Sequence, residues 1–137
     1  MELDEPTRKF LKSNDHCRFA TIGEGNGFPH CVPVGYFYND NLLYMPTNSE
    51  STKAKNALAE PKSCVIVDTY ENGAGRSVML QGFAHVAIGK EFSRLKPVVE
   101  SISGWHLDKW ELGRPPRSKV DAIIEFTPRR VAIIGDL

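Results

Sequence analysis

Asn41-Leu42-Leu43-Tyr44-Met45, followed by Thr47-Asn48-Ser49-Glu50-Ser51-Thr52-Lys53-Ala54-Lys55-Asn56, is the stretch that organises this chain. The first run is short and apolar and reads as a strand. Lys53 to Ala59 reads as a helix that ends before Pro61. A strand thus enters a hydroxyl-rich turn, and the turn enters a helix N-terminus that carries two lysines. The first N–H groups of a helix have no partner within it, and the helix dipole leaves partial positive charge there. An anion is favoured at such a place. Ser49, Ser51 and Thr52 offer hydroxyl donors, and Lys53 offers a full charge. One reading is therefore a phosphate site. The plainer reading is an ordinary Ser or Thr cap with lysines facing water. A local conflict favours the first: an ammonium beside a helix N-terminus opposes the dipole unless an anion lies between them.

The whole sequence sets bounds on this site. Its 137 residues suggest one domain, residues 1–137, with enough chain to bury a core without staples. Net charge is zero, with 17 basic and 17 acidic residues, which argues against a broad nucleic-acid or anionic-membrane surface. No apolar run approaches a membrane span, and the acidic start Met1-Glu2-Leu3-Asp4-Glu5-Pro6 does not read as a secretory signal. Cys17, Cys31 and Cys64 each sit in strand-like surroundings and read as free thiols of a cytoplasmic protein.

Outward from the turn, Asp4 caps a first helix with Pro6 in its first turn, and Ser13-Asn14-Asp15 ends it. His16 to Gly23 is the first strand, and Gly25-Asn26-Gly27 is a turn. Phe28 to Tyr38 reads as one long second strand. Pro29 and Pro33 within it imply an edge, a bulge or a place where something other than a strand meets the backbone. Asn39-Asp40-Asn41 turns the chain into the third strand, so three strands form a meander before the hydroxyl-rich turn. Ser63 to Asp68 is a buried-type strand, Glu71 to Gly75 a loop, and Ser77 to Ile88 a long strand in which Gly82 marks a bend or a close approach. Glu91 to Ser103 has helical spacing, with Pro97 near its start or dividing it. Gly104 to Lys119, with Trp105, Trp110 and Arg114-Pro115-Pro116-Arg117, reads as a loop. Val120 to Phe126 and Val131 to Ile134 are two final strands. The expected fold is mainly β, with six or seven mostly antiparallel strands in a small barrel and two or three flanking helices.

Strand alternation places Arg18, Ala20 and Ile22 on one face and Phe19 and Thr21 on the other. Arg18 beside the small Ala20 suits an anion carried by a flat ligand; the plainer fate of Arg18 is a surface salt bridge. Alternation also sets His16 against Cys17 and His30 against Cys31, on opposite faces, so the two pairs do not converge into a metal site. His30 reads as a structural hydrogen-bonding residue, or as one that touches substrate. No nucleophile elbow, carboxylate pair or dinucleotide fingerprint is present.

Arg18-Phe19-Ala20-Thr21, then Gly27-Phe28-Pro29-His30-Cys31-Val32-Pro33-Val34, Thr47-Asn48, Ser51-Thr52-Lys53, Asn56, Pro61 and Arg76-Ser77-Val78-Met79-Leu80-Gln81-Gly82 occur in an order that resembles the pyridoxamine 5′-phosphate oxidase-like family of FMN-binding split barrels. The likeness covers about Arg18 to Val86. It implies a homodimer with flavin sites across the subunit interface, and a small-molecule substrate. On this sequence it implies that Arg18 and Lys53 hold the phosphate, with hydroxyls from Ser51 and Thr52 and with Thr47 near the flavin. Backbone groups of Val32, Pro33 and Val34 would line the ring system, Gln81 would border it, and Trp110 would close the site from the partner chain. The oxidase proper carries Ser-Arg-Lys where this chain has Ser51-Thr52-Lys53, and Gln where it has Ser77. Its C-terminal motif for pyridoxal phosphate has no match here. The resemblance therefore implies a flavin-binding oxidoreductase and not the vitamin B6 reaction. Related members take the deazaflavin F420 or haem in place of FMN.

Overall fold

The computed structural model of the protein describes residues 1–23, 26–110 and 119–137. Part of the turn expected at Gly25 and all of Arg114-Pro115-Pro116-Arg117 lie outside that set. The elements in chain order are α1 (Glu5–Lys12), β1 (His16–Ile22), β2 (Pro29–Gly35), β3 (Phe37–Asn39), β4 (Leu42–Thr47), α2 (Thr52–Ala59), β5 (Lys62–Glu71), β6 (Ala74–Ile88), α3 (Gly89–Ser103), a short 3-10 turn (Leu107–Lys109) and β7 (Ala122–Ile134).

The seven strands form one antiparallel sheet in the order β2-β1-β5-β6-β7-β4-β3. Strands β2 and β3 are therefore the two edges, yet Tyr36 alone separates them along the chain. A sheet whose opposite edges are joined by one residue must curl until those edges meet. No ladder joins them among the described residues, so the result is a half-barrel with a seam: a split barrel. Tyr36 fastens the seam to α1. Its hydroxyl donates to the Leu11 carbonyl at 2.6 Å, and its own N–H donates to the Asp15 carbonyl at 2.9 Å.

This corrects four expectations. The predicted second strand, Phe28 to Tyr38, is divided at Tyr36 into β2 and β3, which lie at opposite edges, so the predicted three-strand meander does not form. The run looked continuous because both pieces share one apolar alternation, and sequence periodicity carries no trace of a change of edge. The two predicted final strands are one, β7, with a bulge opposite Gln81 and Gly82. Pro128 pairs with Gly82 immediately before the bulged Arg129, where the regular ladder is interrupted. The predicted loop at Glu71 to Gly75 is a two-residue hairpin, with Asn72 at φ 50° and Gly73 at φ 78°. Asp40 and Asn41 make the same left-handed pair between β3 and β4. Pro97 neither starts nor divides α3; it lies inside the helix on its exposed side, where water can serve the carbonyl left without a donor.

The main core fills the concave side of the sheet with Phe19, Tyr36, Leu43, Met45, Leu80 and Phe126, all 1% exposed or less. α1 and α2 cover it with Leu11, Ala54 and Ala57. A smaller cluster under α3 gathers Tyr44, Val99, Leu107 and Ile123. Among the described residues no helix is long and apolar enough to cross a membrane.

Candidate functional site

The turn before α2 is built from long-range bonds as well as from local capping. Ser51 is the N-cap, and its Oγ accepts from the Ala54 N–H at 3.3 Å. The same hydroxyl donates to the Asn48 carbonyl at 2.7 Å and lies 3.3 Å from Thr47 Oγ1. Asp121, at the entry to β7, accepts from the Ser49 N–H at 2.7 Å and from its hydroxyl at 2.9 Å. The Asn48 amide donates to the Lys119 carbonyl at 2.8 Å. Thr47 is fully buried, and β4 delivers it directly beneath this turn. Thr52 begins the helix and is exposed.

Lys53 follows, and it is half-buried. It lies one turn before Asn56, so the two share a side of α2. Asn56 is buried and its amide donates to Thr21 Oγ1 on β1 at 3.1 Å. Lys53 has no hydrogen-bond acceptor or counter-ion among the described residues. Burial lowers its pKa below the ordinary lysine value. The ammonium is thus partly desolvated, opposes the dipole of its own helix, and is uncompensated.

Arg18 points the other way. With Ala20 and Ile22 it lies on the outward, convex face of β1, and its guanidinium pairs with Asp68 of β5. Phe19 and Thr21 turn inward, as alternation predicted. The monomer does not bring Arg18 and Lys53 together: one is tied to a carboxylate on the outer face, the other lies with Asn56 toward the inward side of β1.

β2 is an edge strand, as its prolines implied, so one side of its backbone has no strand beside it. Its Cα partners on β1 put Val32 and Val34 inward, opposite Phe19 and Cys17, and Pro33 outward, opposite Arg18. What that edge presents to a ligand is therefore backbone rather than the side chains of Val32 and Val34. His30 faces inward opposite Thr21, and its Nδ1 is buried with no partner among the described residues, so the structural bond expected for it is not made there. Cys31 points outward opposite Ala20. Trp110 packs within its own chain: its ring meets Phe37 edge-on at 5.2 Å and lies against Gly35, where a Cβ would come 2.8 Å from a ring carbon.

Ala20 and Gln81 do share a hollow. A cavity of about 590 Å³ opens on the outward face where β1, β5, β6 and β7 run side by side, with Cys64 between them and Ile22, Pro29 and Phe83 as apolar walls. Lys62, Arg129 and Arg130 also line it. Sequence reasoning missed these three cations. Thr127-Pro128-Arg129-Arg130 reads as a break between strands, whereas the chain continues through it with a bulge. The available signal was Gly82, read as a bend or a close approach; the close approach, to the Thr127 carbonyl, is what it makes.

The pyridoxamine 5′-phosphate oxidase family model matches residues 3–135. None of the curated proteins matches the sequence. Among solved structures, a FAD-binding protein of Mesorhizobium loti is similar over 97% of this chain and 94% of its own, at 24% identity and a TM-score of 0.72. A Listeria innocua protein provisionally named pyridoxamine 5′-phosphate oxidase is similar over 97% and 98%, at 21% identity and a TM-score of 0.71. An F420 reductase is similar over 95% and 98%, at 17% identity and a TM-score of 0.67. These likenesses share the split-barrel architecture. With the family match running almost from end to end, the chain belongs to the pyridoxamine 5′-phosphate oxidase family.

Proposed function

We propose that this protein binds FMN with its phosphate at the N-terminus of α2, works as a homodimer, and carries out oxidation–reduction on a small molecule. The observation that carries the reading is Lys53: a half-buried ammonium at a helix N-terminus with no counter-charge among the described residues. A phosphate placed there answers both the dipole and the lysine. Lys53 would hold the phosphate with the exposed Thr52 hydroxyl. Ser51, whose hydroxyl already serves Asn48 and Ala54, would keep the turn in shape, above the buried Thr47. The free edge of β2 would offer backbone groups of Val32, Pro33 and Val34 to a flat ring. Arg18 could join the phosphate only by leaving Asp68, so it is the weaker of the two predicted phosphate ligands.

The flavin, when bound, would supply the hydride or electron chemistry, and the chain's part would be to bind, orient and exclude water. The homodimer is favoured by apolar side chains that one chain leaves uncovered, among them Tyr70, Ile133 and Ile134 on the β5–β6–β7 part of the sheet. The names of the M. loti protein and the F420 reductase support a flavin-type ligand in this fold.

The test is a titration of the purified protein with FMN, read by quenching of flavin fluorescence. Saturable binding of one FMN per chain is expected. Lys53→Gln should weaken it roughly 10- to 100-fold, the scale of a lost charge-assisted contact, while Arg18→Gln should weaken it less. No saturable FMN binding, or binding indifferent to Lys53, would remove the reading. Tight binding of F420 in place of FMN would move it to the deazaflavin. Failure of every reductant to bleach the bound flavin would leave a cofactor carrier in place of an oxidoreductase.

A further inference from the structure

We infer that His30 is a further phosphate ligand: its Nδ1–H donates to an oxygen of the flavin phosphate, which Lys53 holds from the helix side. The inference rests on the flavin reading and adds to it a contact from the inward face of β2. The observation behind it is the Nδ1 atom of His30, which is buried and has no hydrogen-bond partner among the described residues. A buried polar atom left unpaired detracts from stability, so its place needs a reason.

Strand register says where the ring sits. His30 is the Cα partner of Thr21, while Val32 and Val34 stand opposite Phe19 and Cys17. Directly opposed residues of an antiparallel pair project from one face. The inward row of β2 is thus apolar at Val34 and Val32, which pack on the main core, and turns polar at His30. β1 changes at the same level, from Phe19 to Thr21, both buried. The end of the core where β1 runs into β2 is therefore polar on both strands.

α2 supplies the third wall. The amide of the buried Asn56 donates to Thr21 Oγ1 at 3.1 Å, which fixes the helix against that end of β1. Lys53 lies one turn earlier on the same side of the helix, half-buried, with its pKa lowered by that burial. His30 and Lys53 thus flank the Thr21–Asn56 contact, one from the strand and one from the helix. The imidazole lacks a partner and the ammonium lacks an anion. One phosphate answers both, since an ionised oxygen takes stronger bonds from N–H donors than a neutral acceptor does. The bond would also fix the tautomer of the ring, with the proton on Nδ1.

The test compares FMN with riboflavin, which lacks the phosphate, by quenching of flavin fluorescence. The variants are chosen by shape: Asn carries its amide nitrogen where Nδ1 lies, Gln carries it where Nε2 lies, and Leu carries none. His30→Leu and His30→Gln should each weaken FMN binding roughly tenfold or more, and His30→Asn by less than about threefold. Riboflavin affinity should shift by less than about threefold in every variant, because the lost bond is to the phosphate. In the ligand-free protein His30→Leu should keep or raise the thermal midpoint, since it removes an unpaired buried atom. Proton–nitrogen correlation spectra of the FMN complex should show the proton on Nδ1. Unchanged FMN binding in His30→Leu would overturn the inference and leave the flavin reading standing. Equal losses of FMN and riboflavin would do the same, because His30 would then meet another part of the flavin. A loss in His30→Asn as deep as in His30→Leu, a lowered midpoint in ligand-free His30→Leu, or a bare Nδ1 in the complex would each count as refutation. Absence of FMN binding in the wild type is a different failure: it removes the flavin reading, and this inference with it.

Discussion

Single side chains set the chemistry of the molecule through how far each is removed from water. Lys53 has its pKa lowered by burial, so the folded chain holds this proton less firmly than the unfolded chain. Between the lowered value and the ordinary lysine value of 10.5 the unfolded state binds more protons, and stability rises with pH across that window. Below the window the charged lysine detracts from the ligand-free fold. Lys53→Met should therefore raise the melting temperature of the ligand-free protein at pH 7 by about 2–4 °C while weakening FMN binding. Calorimetry with and without FMN measures both effects. The cysteines make a second case. Burial pushes the Cys17 thiol up to about 12, so it is not a thiolate at pH 8, whereas Cys31 is exposed. Iodoacetamide at pH 8 should label Cys31 first, Cys64 slowly, and Cys17 only after unfolding, as read by peptide mass. Much at this scale was legible from alternation alone. It placed Phe19 and Thr21 inward and Arg18 and Ala20 outward. It could not say that Arg18 would find Asp68, because that contact joins residues 50 positions apart in the chain.

At the scale of elements, the starts of α1 and α2 and the turn at Asn39-Asp40-Asn41 were readable because capping and left-handed residues act locally. Asp4 caps α1, Ser51 caps α2, and each accepts a backbone N–H three residues on. What stayed hidden is whatever depends on a neighbour supplied from far along the chain. The break at Tyr36 exists because β2 finds β1 while β3 finds β4. The bulge in β7 exists because Gly82 lets the Thr127 carbonyl come close. That closeness is testable. Gly82→Ala places a methyl against backbone that has no side-chain freedom with which to yield. The expected loss is roughly 2–3 kcal/mol, or about 6–10 °C in melting temperature. The cavity should change with it, since Arg129 and Arg130 depend on the bulge for their direction. Tyr36→Phe tests the seam. It removes the donor to the Leu11 carbonyl in a buried position and should lower stability by about 1–2 kcal/mol in a urea titration.

At the scale of the whole molecule, one chain curls its sheet around a core but leaves Tyr70, Ile133 and Ile134 on the β5–β6–β7 arm in water. A second copy covering that arm is expected, and sedimentation at micromolar concentration should give twice the mass of a single chain. Ile134→Lys, at a position 69% exposed, should shift that equilibrium toward single chains without unfolding them. The order of strands has a further consequence for how the protein is made. Among the described residues, β7 is the sole ladder neighbour that ties the β4–β3 ribbon to the remainder of the sheet, through Leu43 opposite Phe126 and Thr47 opposite Ala122. A growing polypeptide still on the ribosome, with β7 not yet emerged, would hold two unjoined ribbons with their greasy sides bare. Stable acquisition of structure should therefore wait until β7 has emerged. Chains arrested before residue 122 should remain protease-sensitive and chaperone-bound, and become resistant only once the final strand has cleared the exit tunnel.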